Sequence, residues 1–266
     1  MTSSTEKTVT YCVDNKVATI SLNRPTRYNS FTDEMHADFR AAIKHVKSDQ
    51  SLRCLIIRAN GKGFCSGQDL NSRYELVKQG DVNLGESLNK NYNPLIVSLA
   101  NLKLPVVCAV NGVAAGAGVG LALACDIVIA AQSANFVFSF SKVGLIPDAG
   151  CSWSLVQAVG LARARAWCLL GESISAQEAV EQGLIYKCVD DDALGSELDS
   201  LVQTLIKHPA QGLALNKRAL LSAASHHLQE QLLLEAQLQT IAGRSDDYKE
   251  AVCAFVEKRE ARFSGA

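Results

Sequence analysis

A chain of 266 residues, 48% hydrophobic and 20% charged, carries enough apolar side chain for a substantial core, in one large domain or in a domain with an appendage. Its formal net charge of −1 gives no whole-chain attraction for nucleic acid or an acidic membrane, so neither is expected as a partner. The nine cysteines lack a Cys-x-x-Cys pair and sit mostly in apolar runs such as Val106-Val107-Cys108-Ala109-Val110, the pattern of buried free thiols in a reducing compartment. Residues 1–10 hold no apolar signal core and no Arg-rich amphipathic stretch, which makes the cytoplasm the expected location. The most apolar span, 105–131, is interrupted by Asn111, several glycines and Asp126, which argues against a membrane helix.

In chain order, residues 9–13 and 17–22 alternate like strands around a turn at Asp14-Asn15 and predict a β-hairpin that ends by Pro25. Thr32 then caps a helix with Met35, Phe39, Ala42, Ile43 and Val46 on one face. A short buried strand at 54–59 leads into a glycine loop at 61–67. Residues 71–90 are polar and weakly patterned and read as a mobile surface segment; extended to 93, they would serve as a lid or acyl-chain wall. A helix around 92–102 closes at Pro105. Strand 106–110, a glycine turn, helix 116–124 and strand 126–131 then repeat the order of strand, glycine loop and helix. From about 149 helical patterns dominate, at 153–159, at 162–170, and after a Ser175-Ala176-Gln177-Glu178 capping box, with a short strand at 185–189. Four helical stretches run from about 193 to Lys258-Arg259. This order predicts an α/β core over 1–195 and an α-helical region over 196–266 of the kind that packs on a neighbouring subunit.

Three stretches carry candidate chemistry. The turn Asn111-Gly112-Val113-Ala114-Ala115-Gly116-Ala117-Gly118-Val119-Gly120 follows a strand and opens a helix, but its G-x-G-x-G spacing fails the dinucleotide-binding fingerprint. Its small residues would let a carbonyl approach the N–H groups at a helix N-terminus, or would only permit close packing. The loop Gly61-Lys62-Gly63-Phe64-Cys65-Ser66-Gly67-Gln68-Asp69-Leu70 offers a second set of N–H groups near 67–68, and two donors from separate segments make an oxyanion hole. Cys65 is read as a packed small hydrophobe rather than a nucleophile. No histidine supports it, since His36, His45, His208, His226 and His227 fall on predicted helices or a helix junction, mostly on polar faces. A serine triad and a metal-ligand spacing are absent for the same reason. The third stretch, Gly144-Leu145-Ile146-Pro147-Asp148-Ala149-Gly150, holds a lone carboxylate that reads either as a general base or as a helix N-cap.

These stretches, together with Leu22-Asn23-Arg24-Pro25-Thr26-Arg27-Tyr28-Asn29-Ser30, Ala124-Cys125-Asp126-Ile127 and Phe255-Val256-Glu257-Lys258-Arg259, resemble the enoyl-CoA hydratase/isomerase (crotonase) superfamily over nearly the whole chain. The resemblance implies an α/β fold with a crotonase-like spiral of repeated ββα units and a C-terminal α-helical trimerisation region. It also implies a homotrimer or hexamer and an acyl-CoA thioester substrate, with CoA part of the substrate and no separate cofactor. By position, the N–H groups of Gln68 and Ala117 would form the oxyanion hole, with Ser66, Gly67, Asp69 and Gly116 around the substrate. Arg24 and Arg27 would flank the CoA arm, and Phe255 and Lys258 would approach its nucleotide, in this subunit or a neighbouring one. The plainer reading of Phe255 and Lys258 is a core contact and a solvated charge.

Hydratases of the superfamily use two glutamates, and this chain has Gly120 and Phe140 in their places. Hydration is therefore disfavoured. Asp148 matches a third carboxylate position used by isomerase relatives, and a single base suffices to move a proton between two carbons, with Phe138 and Phe140 as an apolar lining that raises its pKa. The runs 136–150 and 242–248 are most similar to the isomerases of phenylacetate catabolism. The implied activity is conversion of ring-1,2-epoxyphenylacetyl-CoA to oxepin-CoA, or 3-to-2 double-bond migration as in fatty acid metabolism. The alternatives are an enoyl-CoA hydratase with another water-activating group and a non-catalytic CoA-ester-binding subunit.

Overall fold

The predicted hairpin is present in the computed structural model, which describes residues 7–80 and 82–264; residues 1–6, on which the reading of the first ten residues largely rests, lie outside that range. Strands β1 (Val9–Asp14) and β2 (Val17–Leu22) pair antiparallel, and Asn15 and Lys16 both adopt positive φ, as a two-residue hairpin turn requires. Helix α1 (Asp33–Ser48) starts where Thr32 accepts a hydrogen bond from the Met35 N–H, and its predicted apolar face is buried. After β3 (Cys54–Ala59) the chain forms α2 (Leu70–Gln79), α3 (Leu84–Ser87), a π-helical turn at Leu88–Tyr92 and α4 (Asn93–Ala100). The segment 71–90, expected at the surface from its polar, weakly patterned sequence, is mostly exposed and mostly helical. Its helices pack through few apolar side chains, so no 3.6-residue stripe marks them: Leu70, Tyr74 and Val77 are exposed.

Strand β4 (Val106–Val110) is buried along its whole length and is followed by the two-residue β5 (Ala114–Ala115), α5 (Ala117–Leu123), β6 (Ile127–Ala131) and β7 (Asn135–Val137). Helix α6 (Cys151–Leu170) contains a break at Gly160, which separates the two helical stretches expected there. Strand β8 (Ser173–Ser175), α7 (Ala176–Glu181), β9 (Lys187–Val189), α8 (Leu194–Ile206), α9 (Ala210–Ala223), α10 (Leu228–Ala242) and α11 (Asp246–Glu257) complete the chain.

The main sheet has the order β1-β2-β3-β4-β6-β9 and is parallel beyond the hairpin. A second sheet, β5-β7-β8, holds the site's glycine turn. Both faces of the main sheet are covered, as parallel sheets demand. Leu194, Leu198 and Val202 of α8 pack on Val17, Cys54, Ile56, Val107, Ala109 and Ile129, while α1 packs on the other face. Each Leu, Ile or Val among them taken out of water contributes roughly 1.5–3 kcal/mol. The division after residue 195 therefore falls inside a helix that belongs to the sheet's core. No helix among the described residues is long and apolar enough to cross a membrane.

Candidate active site

The loop after β3 lies between the segment that precedes α1 and the turn after β4, joined to each by a parallel bridge. Phe31 pairs with Gln68: the Phe31 N–H donates to the Gly67 carbonyl at 2.7 Å, and the Asp69 N–H donates to the Phe31 carbonyl at 3.0 Å. Those bonds leave the Gln68 N–H on the opposite edge, away from Phe31. Cys65 pairs with Ala114 in the same way, and the Ala115 N–H donates to the Cys65 carbonyl at 2.8 Å. Gly67 sits at φ +86°, and a Cβ there would stand 3.4 Å from the Ala117 nitrogen. The Gly67-Gln68 segment and the Ala117 N–H, expected to share an oxyanion, thus lie beside each other. Gly118 supports the packing reading as well, since a Cβ at that position would meet the Cys65 carbonyl oxygen at 2.2 Å. Cys65 is fully buried and its thiol donates to the Asn29 carbonyl at 3.2 Å. Burial pushes that thiol up to about 12, so it is a packed group and not a thiolate.

Asp148 sits in a tight turn against the glycine helix. Ala149 and Gly150 both have positive φ, and Gly150 is the N-cap of α6 with no side-chain cap. The capping role for Asp148 is therefore excluded. Its Oδ1 is buried with no hydrogen-bond partner, and burial lifts the carboxyl from 3.8 to about 6, opposed only by its own backbone N–H. Gly120, the first empty glutamate position, lies under this turn: a Cβ there would come within 2.5 Å of the Ala149 oxygen. Phe140 is buried with its ring 3.9 Å from where a Gly116 Cβ would stand, so it does border the glycine turn. Phe138 is fully buried and stacks on Trp167 of α6 at 5.6 Å.

The remaining predicted residues divide between scaffold and surface. Arg24 pairs with Asp69 at 2.9 Å and also donates to the carbonyl and hydroxyl of Ser30. Burial pushes the Asp69 carboxyl up, but Arg24, the Ser72 N–H and Ser30 outweigh it and hold it below the usual range. Arg24 and Asp69, expected to bind substrate, are thus committed to each other and pin the 24–30 turn to the oxyanion loop. Arg27 and Ser66 are exposed at the rim. Phe255 is 85% exposed and Lys258 is exposed at the end of α11, so neither is drawn into this site within one chain, and Phe255 is no core contact.

Sequence reading missed the groups that surround Gln68. Its carboxamide Nε2 donates to the Phe31 carbonyl at 3.1 Å, and its Oε1 accepts from the Tyr92 hydroxyl at 2.7 Å and from Arg73 at 3.4 Å. Behind Tyr92 lies His36, 2% exposed, stacked on Phe31 and with neither ring nitrogen hydrogen-bonded. Burial pushes the imidazole down to about 4, so it is neutral at pH 7. The polar-face reading fails for this histidine. The spacing of His36, Phe39 and Ile43 carried the signal, since it puts all three on one helix face.

Residues 13–266 match the enoyl-CoA hydratase/isomerase family. The chain belongs to that family. It is 50% identical over 253 residues to the 1,2-epoxyphenylacetyl-CoA isomerase of Escherichia coli K12, covering 95% of this chain and 97% of the relative. It is 31% identical to the 2,3-dehydroadipyl-CoA hydratase of the same organism, over 94% of this chain and 96% of that one. The crystal structure of an enoyl-CoA hydratase/isomerase from Cupriavidus metallidurans CH34 superposes with a TM-score of 0.90 at 30% identity, covering 97% and 96% of the two chains. The enoyl-CoA hydratase/isomerase fold expected from the motifs is therefore the fold this enzyme has.

Proposed function

We propose that this chain is an acyl-CoA isomerase in which Asp148 is the sole acid/base group and the N–H groups of Gln68 and Ala117 hold the thioester enolate. The observation that carries this reading is Asp148, among the described residues the one carboxylate with a buried oxygen left without a hydrogen bond, in the turn packed on the glycine helix. In a 3-enoyl thioester, the Asp148 carboxylate takes a proton from the carbon next to the carbonyl. The electron pair moves onto the thioester oxygen between the two N–H donors. The protonated Asp148 then returns the proton two carbons further along, and the double bond comes into conjugation.

The favoured substrate is ring-1,2-epoxyphenylacetyl-CoA, on the strength of the 50% identity to an isomerase of that substrate. There the epoxide opens to the seven-membered oxepin as the ring bond between its two oxygen-bearing carbons breaks, and the same proton shift, from the methylene to a ring carbon, conjugates the product with the thioester. Hydration is the second reading, favoured by the hydratase among the relatives. Against it stand Gly120, closed off by Ala149, and Phe140, neither of which activates water. A homotrimer or hexamer in the cytoplasm completes the proposal.

The test is mass spectrometry of purified protein with aryl-epoxide, 3-enoyl, 2-enoyl and dienoyl thioesters. Isomers of unchanged mass are expected from the first two. A product 18 mass units heavier from the 2-enoyl thioester alone would replace isomerisation by hydration. Asp148→Asn is expected to lower isomerase kcat by about 10²–10⁴-fold, and unchanged turnover would remove Asp148 as the base.

A further inference from the structure

We propose that Tyr92 is a positioning residue for the oxyanion hole, its hydroxyl holding the Gln68 carboxamide and through it the Gly67-Gln68 peptide whose N–H faces the thioester. This rests on the acyl-CoA reading of the same loops.

The geometry leaves Gln68 little freedom. Its amide nitrogen is on the Phe31 carbonyl, the acceptor that also takes the Asp69 N–H and so sets the tilt of the adjoining peptides. Its amide oxygen receives two donors, Tyr92 and Arg73, which fixes which way round the carboxamide lies. Without the hydroxyl, the carboxamide oxygen would lose its short bond and keep only the 3.4 Å contact to Arg73. The Tyr92 ring cannot swing away. It is 4% exposed, edge-on to Phe31 at 5.4 Å and to His36 at 4.4 Å.

Tyr92 acts through Gln68 rather than on the reacting atoms. A phenol has one proton to donate, and it is given to Gln68, while the Asp148 Oδ1 receives no hydrogen bond. Burial, with Cys65 and Asp148 nearby, pushes the phenol further up, so it keeps that proton at any working pH.

The backbone places Tyr92 by an unusual device. In the π turn the Asn93 N–H bonds back to the Leu88 carbonyl, and Asn91 and Tyr92 are both buried. Arg73 of α2 donates to the Ser87 hydroxyl as well as to Gln68, so the helices over 70–92 are tied to the oxyanion loop as a unit. That segment would then do more than wall the acyl group.

Tyr92→Phe keeps the ring and removes the hydroxyl. Isomerase kcat is expected to fall about 10- to 100-fold, with KM within about twofold and the midpoint of the pH profile unmoved. In a Gln68→Leu background the same change is expected to cost less than about twofold, because the two residues act as one. Unchanged kcat, additive losses, or a shifted pH midpoint would each overturn the proposal.

A readout without turnover separates this from the assignment of Asp148. Infrared difference spectra of an unreactive acyl-CoA carrying a ¹³C-labelled thioester carbonyl, bound to Asp148→Asn protein, are expected to show a downshifted carbonyl band that partly relaxes when Tyr92→Phe is added. A band indifferent to Tyr92 would sink the positioning role, whatever reaction the enzyme performs.

Discussion

At the scale of single residues, Asp148 is held in a position that favours its neutral form. With burial lifting its carboxyl to about 6, the base form predominates only above that pH. Isomerase kcat/KM is expected to climb about tenfold per pH unit below 6 and to level off above about 7; a rate flat from pH 5 to 8 would contradict it. The same shift has a stability consequence of opposite sign. The folded chain holds this proton more tightly than the unfolded chain, so stability is lost as pH rises from about 3.8 to 6. Asp148→Asn is therefore expected to melt higher than the parent at pH 7.5, by on the order of 1–2 kcal/mol once solvent screening of this half-buried group is allowed for. The gain should shrink at pH 5, and melting curves at the two pH values check it.

At the scale of elements, the Asp148 turn and α5 form one unit through the contact of Gly120 with Ala149. Gly120→Ala adds a single methyl where there is no room, and overpacking of this kind costs about 1–3 kcal/mol. The expected result is a lower melting temperature together with a loss of isomerase activity at least tenfold, the size of effect that misplaced catalytic groups produce. Full activity in this variant would mean that the turn yields without moving Asp148. The main elements were legible because α1 buries a periodic apolar face and β2, β3 and β4 bury near-continuous apolar runs. Strands β5, β7 and β8 were not, since two or three residues hold no period. The glycine turns and Asp148 could be read from local chemistry. Tyr92 could not, because a π turn moves a side chain inward without leaving a pattern in the residues around it. Arg24 and Asp69 were legible as important but not as partners, which takes knowledge that the 24–30 turn returns beside the loop 45 residues later.

At the scale of the whole molecule, the last two helices contribute little to the core. Helix α10 buries only Leu238 among its described residues, and α11 leaves Val252, Phe255 and Val256 exposed. A homotrimer or hexamer is expected in sedimentation experiments, and a monomer at assay concentration would contradict the assembly. If Phe255 meets the CoA nucleotide, in this subunit or a neighbouring one, Phe255→Ala should raise KM for the thioester several-fold with kcat unchanged, since it would remove binding shared by ground state and transition state. An unaltered KM would leave Phe255 to the subunit interface alone.

The space that Gly120 leaves for Ala149 also bears on descent. A mutation restoring a glutamate at position 120 in this background would not gain a water-activating group. It would first collide with the turn that carries Asp148, and the present reaction would be lost before the other began. A side chain at position 120 and the present turn at 148–150 thus exclude each other, and a glutamate there would need a compensating change in that turn.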